Sequence, residues 1–284
     1  MRNRRYIEQA FFKFIMRLST ILVAVSLVLI IGTVILRGLP SMSLSMVTKT
    51  SKGGFYLGGE GGILNAILGS VILASCATVL AAAIGFPIVL YLNMYISKSS
   101  RFAVFVRFSL DVLFGVPSIV YGAFGFTIML FFGWRASLFS GIIAVSFLEL
   151  PIIARAIDEV MRMIPTELKE ASYAVGATRF ETGTKVIIRQ AFPGILTGLL
   201  IGLGRGIGDA ASVMFTAGFT DSVPTSLWRP VATLPLTIFG LLGNTIPEVR
   251  ERAYASAFVL TLLILFISLT ARLFSRKFSK HVIK

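Results

Sequence analysis

The chain has 284 residues, 56% of them hydrophobic and 14% charged, with a mean hydropathy of +0.87 and a formal charge of +14. A soluble domain of this size needs a charged surface that so few charged residues cannot supply, so the bilayer is the expected solvent. The basic residues flank apolar runs and form no patch, which excludes nucleic acid as the partner the charge alone would suggest.

The first apolar run, Leu18 to Leu36, follows a basic tail and is long enough to cross a hydrocarbon core of about 30 Å. Arg37-Gly38-Leu39-Pro40 follows it, with no small-residue cleavage site, so it reads as a retained span and not as a signal peptide. Gly58-Gly59-Glu60-Gly61-Gly62 then marks a flexible entry to the second run, Ile63–Tyr95. That run is long for one span and carries Gly85 and Pro87, which predicts a kinked or tilted helix. Cys76 lies inside it, the single cysteine, and reads as a buried packing residue.

Four further runs follow, near Phe108–Phe132, Ser137–Ala154, Ala191–Met214 and Ala253–Leu273, which makes six predicted transmembrane helices. Val231 to Gly243 is not a seventh: its 13 residues are too few to cross and Pro235 interrupts it, so it is expected to be re-entrant or interfacial on the outer side. Lysines and arginines number nineteen in the two tails and the second and fourth connections, against seven in the others. The positive-inside rule then puts both termini in the cytoplasm.

The cytoplasmic connection between spans four and five, Pro165 to Ile188, has the most local structure. Pro165 ends one helix and Thr166 is expected to cap another, on which Leu168, Ala171, Ser172 and Val175 share a face. Gly176 is placed to stop that helix in a left-handed conformation. Thr178-Arg179-Phe180-Glu181 reads as a capping box that opens a second helix. Such a helix–turn–helix hairpin can enter a groove on a partner, or it can simply connect two spans.

Ionisable residues inside spans are costly and need a reason. Asp111 and Glu149 lie toward the cytoplasmic ends of theirs. Arg205 lies about 18 Å into span five at helical rise. Asp209 is expected one turn on, at i,i+4 spacing. The two can neutralise each other as a packing pair. Alternatively Arg205 faces a pathway, where a guanidinium suits an oxyanion and Asp209 keeps binding weak. Gly194, Gly198 and Gly202 repeat at four-residue spacing on the same helix, which suits close packing and sliding alike. No P-loop sequence occurs, and His281 is the one histidine, in a basic tail, so neither ATP hydrolysis, a histidine metal site nor a catalytic triad is expected of this chain.

Glu170-Ala171-Ser172 followed by Gly176 resembles the "EAA" loop of ABC importer permeases. Gly115–Gly122 (GVPSIVYG), Leu150–Arg155 (LPIIAR), Phe192–Gly198 (FPGILTG), Gly204–Asp209 (GRGIGD) and Phe215–Gly218 (FTAG) are similar to the phosphate-specific (Pst) permeases. The last of these, with Ala232–Pro235 (ATLP), looks more like the A-type subunit than its C-type partner. Two departures stand out: Asp209 where the family usually has Glu, and Arg189 where it often has Pro, which predicts a less kinked end to the docking region.

The resemblance implies an all-α integral membrane fold with a type I ABC importer permease (MetI-like) core. Residues 1–60 would form the tail, a peripheral first helix and an outer loop. Residues 61–284 would form the permease domain, with a coupling loop at 165–188. Glu170, Ala171, Ser172 and Gly176 would couple to the ATPase, and Arg205, Asp209 and Glu149 would line the pathway or gate, with no catalytic or metal residues. The chain would bind no cofactor, ATP-Mg being held by partner ATPase subunits. Expected partners are a second homologous permease, an ATPase dimer, an extracytoplasmic phosphate-binding protein and membrane lipid, in a bacterial or archaeal cytoplasmic membrane. A permease for molybdate or sulfate, a non-conducting phosphate-sensing scaffold and a secondary transporter are the alternatives.

Overall fold

A computed structural model describes residues 2–51, 61–97 and 99–278, and its regular elements among them are helical. Gly58, Gly59 and Glu60 of the expected flexible entry, and His281, lie outside the described residues. Helix α1 runs Arg2–Gly38, α2 Leu44–Thr48, α3 Leu64–Met94, α4 Arg101–Phe114, α5 Ser118–Phe131 and α6 Leu138–Met163. Then come α7 (Thr166–Ala174), α8 (Arg179–Glu181), a π-helical segment Thr182–Ile187, α9 (Ile188–Ile207), α10 (Leu234–Leu242) and α11 (Pro247–Phe278).

Among the described residues five continuous helical stretches are long and apolar enough to cross a membrane: Glu8–Gly38, Leu64–Met94, Leu138–Met163, Arg179–Ile207 and Pro247–Phe274. The third predicted span is not one helix. It is broken between α4 and α5, which are bent by 102°, and it supplies a sixth crossing only if the two halves count as one. Pro117 is the cause: it has no N–H to continue α4, and it biases Val116 toward extended backbone. The Tyr121 hydroxyl of α5 donates to the Leu113 carbonyl of α4 at 2.8 Å, tying the two halves across the break beside the Val116 amide, which donates to the same oxygen at 3.0 Å.

Two other boundaries move. Helix α6 continues past the apolar run to Met163, because Arg155, Asp158, Glu159 and Arg162 are helix-compatible residues that leave hydrocarbon without leaving the helix. Span five ends at Ile207 and not at Met214. Gly204, Gly206 and Gly208 weaken the helix there, and Asp209 turns the chain by accepting from the Ser212 amide at 2.8 Å and from its hydroxyl. The chain from Asp209 to Thr233 is irregular but internally bonded. Val231 N donates to Ala217 O at 3.0 Å, Ser137 N to Thr216 O at 2.9 Å, and Asn65 Nδ2 to Thr220 O at 2.8 Å. Non-helical backbone in a membrane protein is tolerated where protein supplies its partners.

Helix α10, nine residues and about 13 Å long, does not span. Pro235 stands in its first turn and opens it, where a missing N–H costs nothing, and does not interrupt it as expected.

The centre of the molecule is α3, α6 and α9. Their shared core holds Val89, Ile153, Ile157, Met161, Ile187 and Ala191. A second cluster joins α3 to α10 and α11 through Ile63, Ala66, Leu234, Leu241 and Val249. Gly85 of α3 lets Ala154 of α6 approach, a Cβ there standing 3.4 Å from the alanine methyl. Cys76 is exposed on the outer side of α3 and is not buried as expected. The apolar character of that face is a solution for lipid or a partner, and does not mark the core. Helix α1 is exposed along its apolar length and meets α11 at one end only. There Gly38 fits against Tyr254 and Phe258, and Arg37 lies over the Tyr254 ring at 5.2 Å.

Candidate functional site

The hairpin after α6 forms much as its sequence requires. Helix α7 starts at Thr166 with Pro165 in the cap position and no side-chain cap, so Thr166 is the first helical residue and not the cap. Pro165 fits there because it has no N–H to satisfy. The helix ends in a Schellman turn: Gly176 N donates to Tyr173 O at 2.9 Å and Ala177 N to Ser172 O at 3.2 Å, with Gly176 at φ +85.

Thr178 then caps the next helix reciprocally. Glu181 N donates to Thr178 Oγ1 at 3.2 Å, and Thr178 N to Glu181 Oε2 at 3.1 Å. The Thr178 amide, the Lys185 ammonium at 3.1 Å and the Thr178 hydroxyl together lower the Glu181 carboxyl from its ordinary value to about 2. The second helix of the hairpin is not a separate piece. From Arg179 it runs through the π segment into α9 without a break. Arg189 sits in regular helix just beyond that segment, so the local irregularity lies at Thr182–Ile187 and not at the end of the hairpin.

The residues expected to share one face of α7 divide. Glu170, Ala171 and Gly176 are exposed, and Val175 is 84% exposed, whereas Ser172 is buried. Ser172 Oγ bonds Thr182 Oγ1 at 2.9 Å, tying α7 to the first turn of the π segment. Leu168 packs into the α3–α6–α9 core, and Lys169 Nζ donates to Asn93 O at 3.1 Å. The hairpin is therefore fastened from below and offers its turn, with Val175 and Phe180, to the outside.

The second constellation lies where α9 crosses α6. Gly194, Gly198, Gly202 and Gly206 of α9 meet Val160, Ala156, Ile153 and Glu149 of α6 in antiparallel order. A Cβ on Gly198 would stand 2.8 Å from the Ala156 methyl, and one on Gly206 would collide with Glu149 Oε1. The four-residue spacing thus extends one tooth further than the three glycines expected, and its last partner is a carboxylate. Glu149 is in the middle of the 26-residue α6, not toward its end, because the helix is longer than the apolar run. It is wholly buried, and neither oxygen has a hydrogen-bond partner among the described residues. The Thr78 hydroxyl of α3 is its polar neighbour, but does not complete a bond.

Arg205 Nη1 pairs with Asp209 Oδ1 at 3.1 Å, with the arginine side chain 45% exposed and the aspartate 3%. Asp209 is beyond the Gly208 cap and not on the helix, so a turn, not a helical face, presents it to the arginine. The three residues expected at a gate are therefore brought together at one end of α9, with Arg205 chain-adjacent to the glycine that Glu149 fills.

A third cluster was not legible beforehand. Asp158 receives Arg107 Nε at 2.8 Å and Nη2 at 3.1 Å, and Asn93 Nδ2 at 2.7 Å. Beside it Arg155 pairs with Asp111 at 2.9 Å. These bonds strap α4 to the polar extension of α6, and they line a cavity of about 460 Å³ with Glu159 and Arg162. The available signal was a stripe of charge at i,i+3 and i,i+4 spacing after Leu150, which the shorter span prediction cut off. Among the described residues no group of His, Cys, Asp and Glu could hold a metal ion.

Residues 94–284 match the family described as "Binding-protein-dependent transport system inner membrane component". The chain is 35% identical over 241 residues to the phosphate transport system permease protein PstA of Xylella fastidiosa, covering 84% of this chain and 83% of that one. It is 33% identical over 261 residues to PstA of Yersinia pestis, covering 90% and 85%. Among solved structures, the inward-facing MetNI methionine ABC transporter aligns with a TM-score of 0.64 at 19% identity, over 76% of this chain and 95% of that one. A bacterial alginate ABC transporter in complex with alginate pentasaccharide-bound periplasmic protein aligns at 0.65 and 16% identity, over 98% and 99%. These similarities are to transport subunits and not to enzymes. The chain belongs to the binding-protein-dependent transport system inner membrane components, in the branch of the PstA permeases.

Proposed function

We propose that this chain is one of two permease subunits of an ATP-driven inorganic phosphate importer, with both termini in the cytoplasm. The observation that carries the reading is the continuity of one element. A capped hairpin with an exposed turn at Glu170–Gly176 runs directly into the helix that ends at Arg205 and Asp209. A partner that pushes the turn moves that helix, because Ser172–Thr182 and Leu168 leave little slack between them. Phosphate is favoured by the PstA relatives and by a half-exposed guanidinium, whose planar donors suit a tetrahedral oxyanion.

In this reading an ATPase dimer docks on Glu170, Ala171 and Gly176 and holds the ATP-Mg, while Ser172 braces the hairpin from inside. An extracytoplasmic phosphate-binding protein delivers substrate to a pathway shared with a second, homologous permease. Residues 1–60 form the peripheral part and residues 61–284 the permease domain. A peripheral first helix is supported by the exposure of α1 over its apolar length, whereas Met46 of α2 packs against Ile63 and Ala66 of the permease domain.

Labelled-phosphate uptake by the assembled complex in proteoliposomes tests the reading, with ATP on the ATPase side and molybdate and sulfate as competitors. ATP-dependent uptake that resists both competitors and is lost in Arg205→Ala is the expected outcome. A stable, ATP-hydrolysing complex that takes up molybdate or sulfate in place of phosphate overturns the substrate. One that conducts nothing leaves the sensing scaffold as the reading.

A further inference from the structure

We propose that Glu149 is a second acceptor for the Arg205 guanidinium, so that the arginine changes partner between Asp209 and Glu149 as α9 and α6 part during the transport cycle. This rests on the reading of the chain as a conducting permease, and it adds a residue that positions the arginine.

The first observation is the unpaired carboxylate. Glu149 is 0% exposed, and both its oxygens lack a partner among the described residues. A buried carboxylate without donors is among the least favourable arrangements a protein holds, so any conformation that brings a donor within reach is favoured over this one. Two arginines that meet α6 elsewhere are engaged, Arg107 with Asp158 and Arg155 with Asp111.

Arg205 is within reach. Glu149 Oε1 occupies the space that a Cβ on Gly206 would take, and the Cα of Arg205 is about 3.8 Å from that of Gly206 across one peptide. Arg205 leaves the helix about 100° around from that contact, so its long side chain meets the carboxylate by swinging around α9. A turn of the whole helix by that angle is closed to α9, since it would carry Thr197 and Ile201 into the Gly198 and Gly202 notches, where even a Cβ would stand 2.8 Å from Ala156 and 2.7 Å from Ile153, so the exchange belongs to a step in which α6 and α9 part.

Asp209 can release the arginine. Its Oδ2 accepts from the Ser212 amide and hydroxyl, and only Oδ1 serves Arg205. On departure of the guanidinium, Asp209 therefore keeps two donors, whereas Glu149 in this conformation has none. The guanidinium has five N–H donors and meets the aspartate through Nη1 at 3.1 Å, which leaves it donors for another acceptor. On Asp209 the arginine is half exposed and able to meet an oxyanion. On Glu149 it is drawn into the α6–α9 seam and withdrawn from substrate.

The test uses the assembled complex and two readouts, phosphate-free ATP hydrolysis and labelled-phosphate uptake. Glu149→Gln removes the charge of one acceptor and Asp209→Asn that of the other. The exchange predicts that both lower uptake, while they shift phosphate-free hydrolysis in opposite directions by about fivefold or more, the usual scale of conformational coupling. It also predicts that neither substitution shifts hydrolysis further in an Arg205→Gln background. Glu149→Met keeps the volume and discards the oxygens, and is read in the same way if glutamine does not pack. Shifts in the same direction, a Glu149→Gln complex equal to wild type, or a shift that persists without the arginine each overturn the exchange. A wild-type complex that hydrolyses ATP but takes up no phosphate sinks the substrate reading alone, since the hydrolysis comparison still decides the exchange.

Discussion

Helices α1 and α9 are both apolar enough to cross a membrane, yet they meet the rest of the molecule in opposite ways. Along α9 a glycine every fourth residue lets the helix lie against Val160, Ala156, Ile153 and Glu149 of α6. Along α1 there are Val, Leu and Ile side chains facing outward, and the tightest contact is at Gly38 and Arg37, at the end near Tyr254. The difference shows that in a bilayer hydrophobicity does not bring helices together, since lipid tails are as apolar as leucine; small residues that permit close approach do. It also locates the moving part. A helix seated by glycines is held at backbone distance from its neighbour and passes a push on to it, whereas one that faces outward along its length has little to push against.

The strongest way to break this comparison is Gly206→Leu, which sets a side chain where the Glu149 carboxylate lies. Overpacking of this kind costs about 1–3 kcal/mol or more, and uptake should fall below about a tenth of wild type or the complex should fail to accumulate. Near-normal uptake would show that α9 is not held at the distance described.

Gly176→Pro asks whether the hairpin and α9 move as one. Proline cannot adopt φ +85 and has no N–H for the Tyr173 carbonyl, so the Schellman turn is lost at a cost of roughly 3 kcal/mol. ATP hydrolysis should continue while uptake is lost, with the chain still in the membrane. Glu170→Lys should have the same sense and a smaller size. Uptake in proportion to hydrolysis in both variants would remove the docking role from this turn.

Gly38→Leu tests the attachment of α1. A Cβ there would stand 2.6 Å from the Tyr254 carbonyl oxygen and 2.9 Å from the Phe258 Cβ, so α1 should separate from α11. A cysteine cross-link between the two helices should be lost, and uptake should fall by a factor of about two to five, less than 1 kcal/mol or so of function. A loss as deep as that of Gly206→Leu would mean that α1 is as integral as α9.

Acid acts on the hairpin in a direction fixed by Glu181. Its carboxyl in the folded hairpin is lowered to about 2, below the ordinary value of 4.5. The cap therefore contributes fully above pH 4.5 and is lost as pH falls toward 2. Hydrogen exchange at the Thr178 and Glu181 amides should stay slow from pH 7 to 5 after correction for intrinsic rates, and Glu181→Gln should flatten the acid-dependent loss. The smallest expected effect is at Gly32→Leu on α1, where a Cβ meets no atom within 4 Å. Stability and uptake should stay within about 0.5 kcal/mol of wild type, and a larger change would reveal a partner on that face.

Sequence by itself determined the elements whose signals are local. The apolar runs gave the membrane solvent and the spans of α1, α3 and α11. Gly176 and the Thr178–Glu181 box gave the hairpin turn, because a left-handed residue and a reciprocal cap depend on neighbours within three positions. The i,i+4 spacing anticipated Arg205 with Asp209. Only the tertiary structure decided what depends on partners far along the chain. It broke span three at Pro117, ended span five at the Asp209–Ser212 turn, moved Cys76 to the outside and divided the faces of α7. It also placed Glu149 in the fourth glycine notch and Arg107 on Asp158. The physical reason is one of distance. Capping and helical period act over a few residues, whereas the burial of a charge is set by whichever helix is packed against it, and no periodicity in α6 announces that a glycine of α9 will be there.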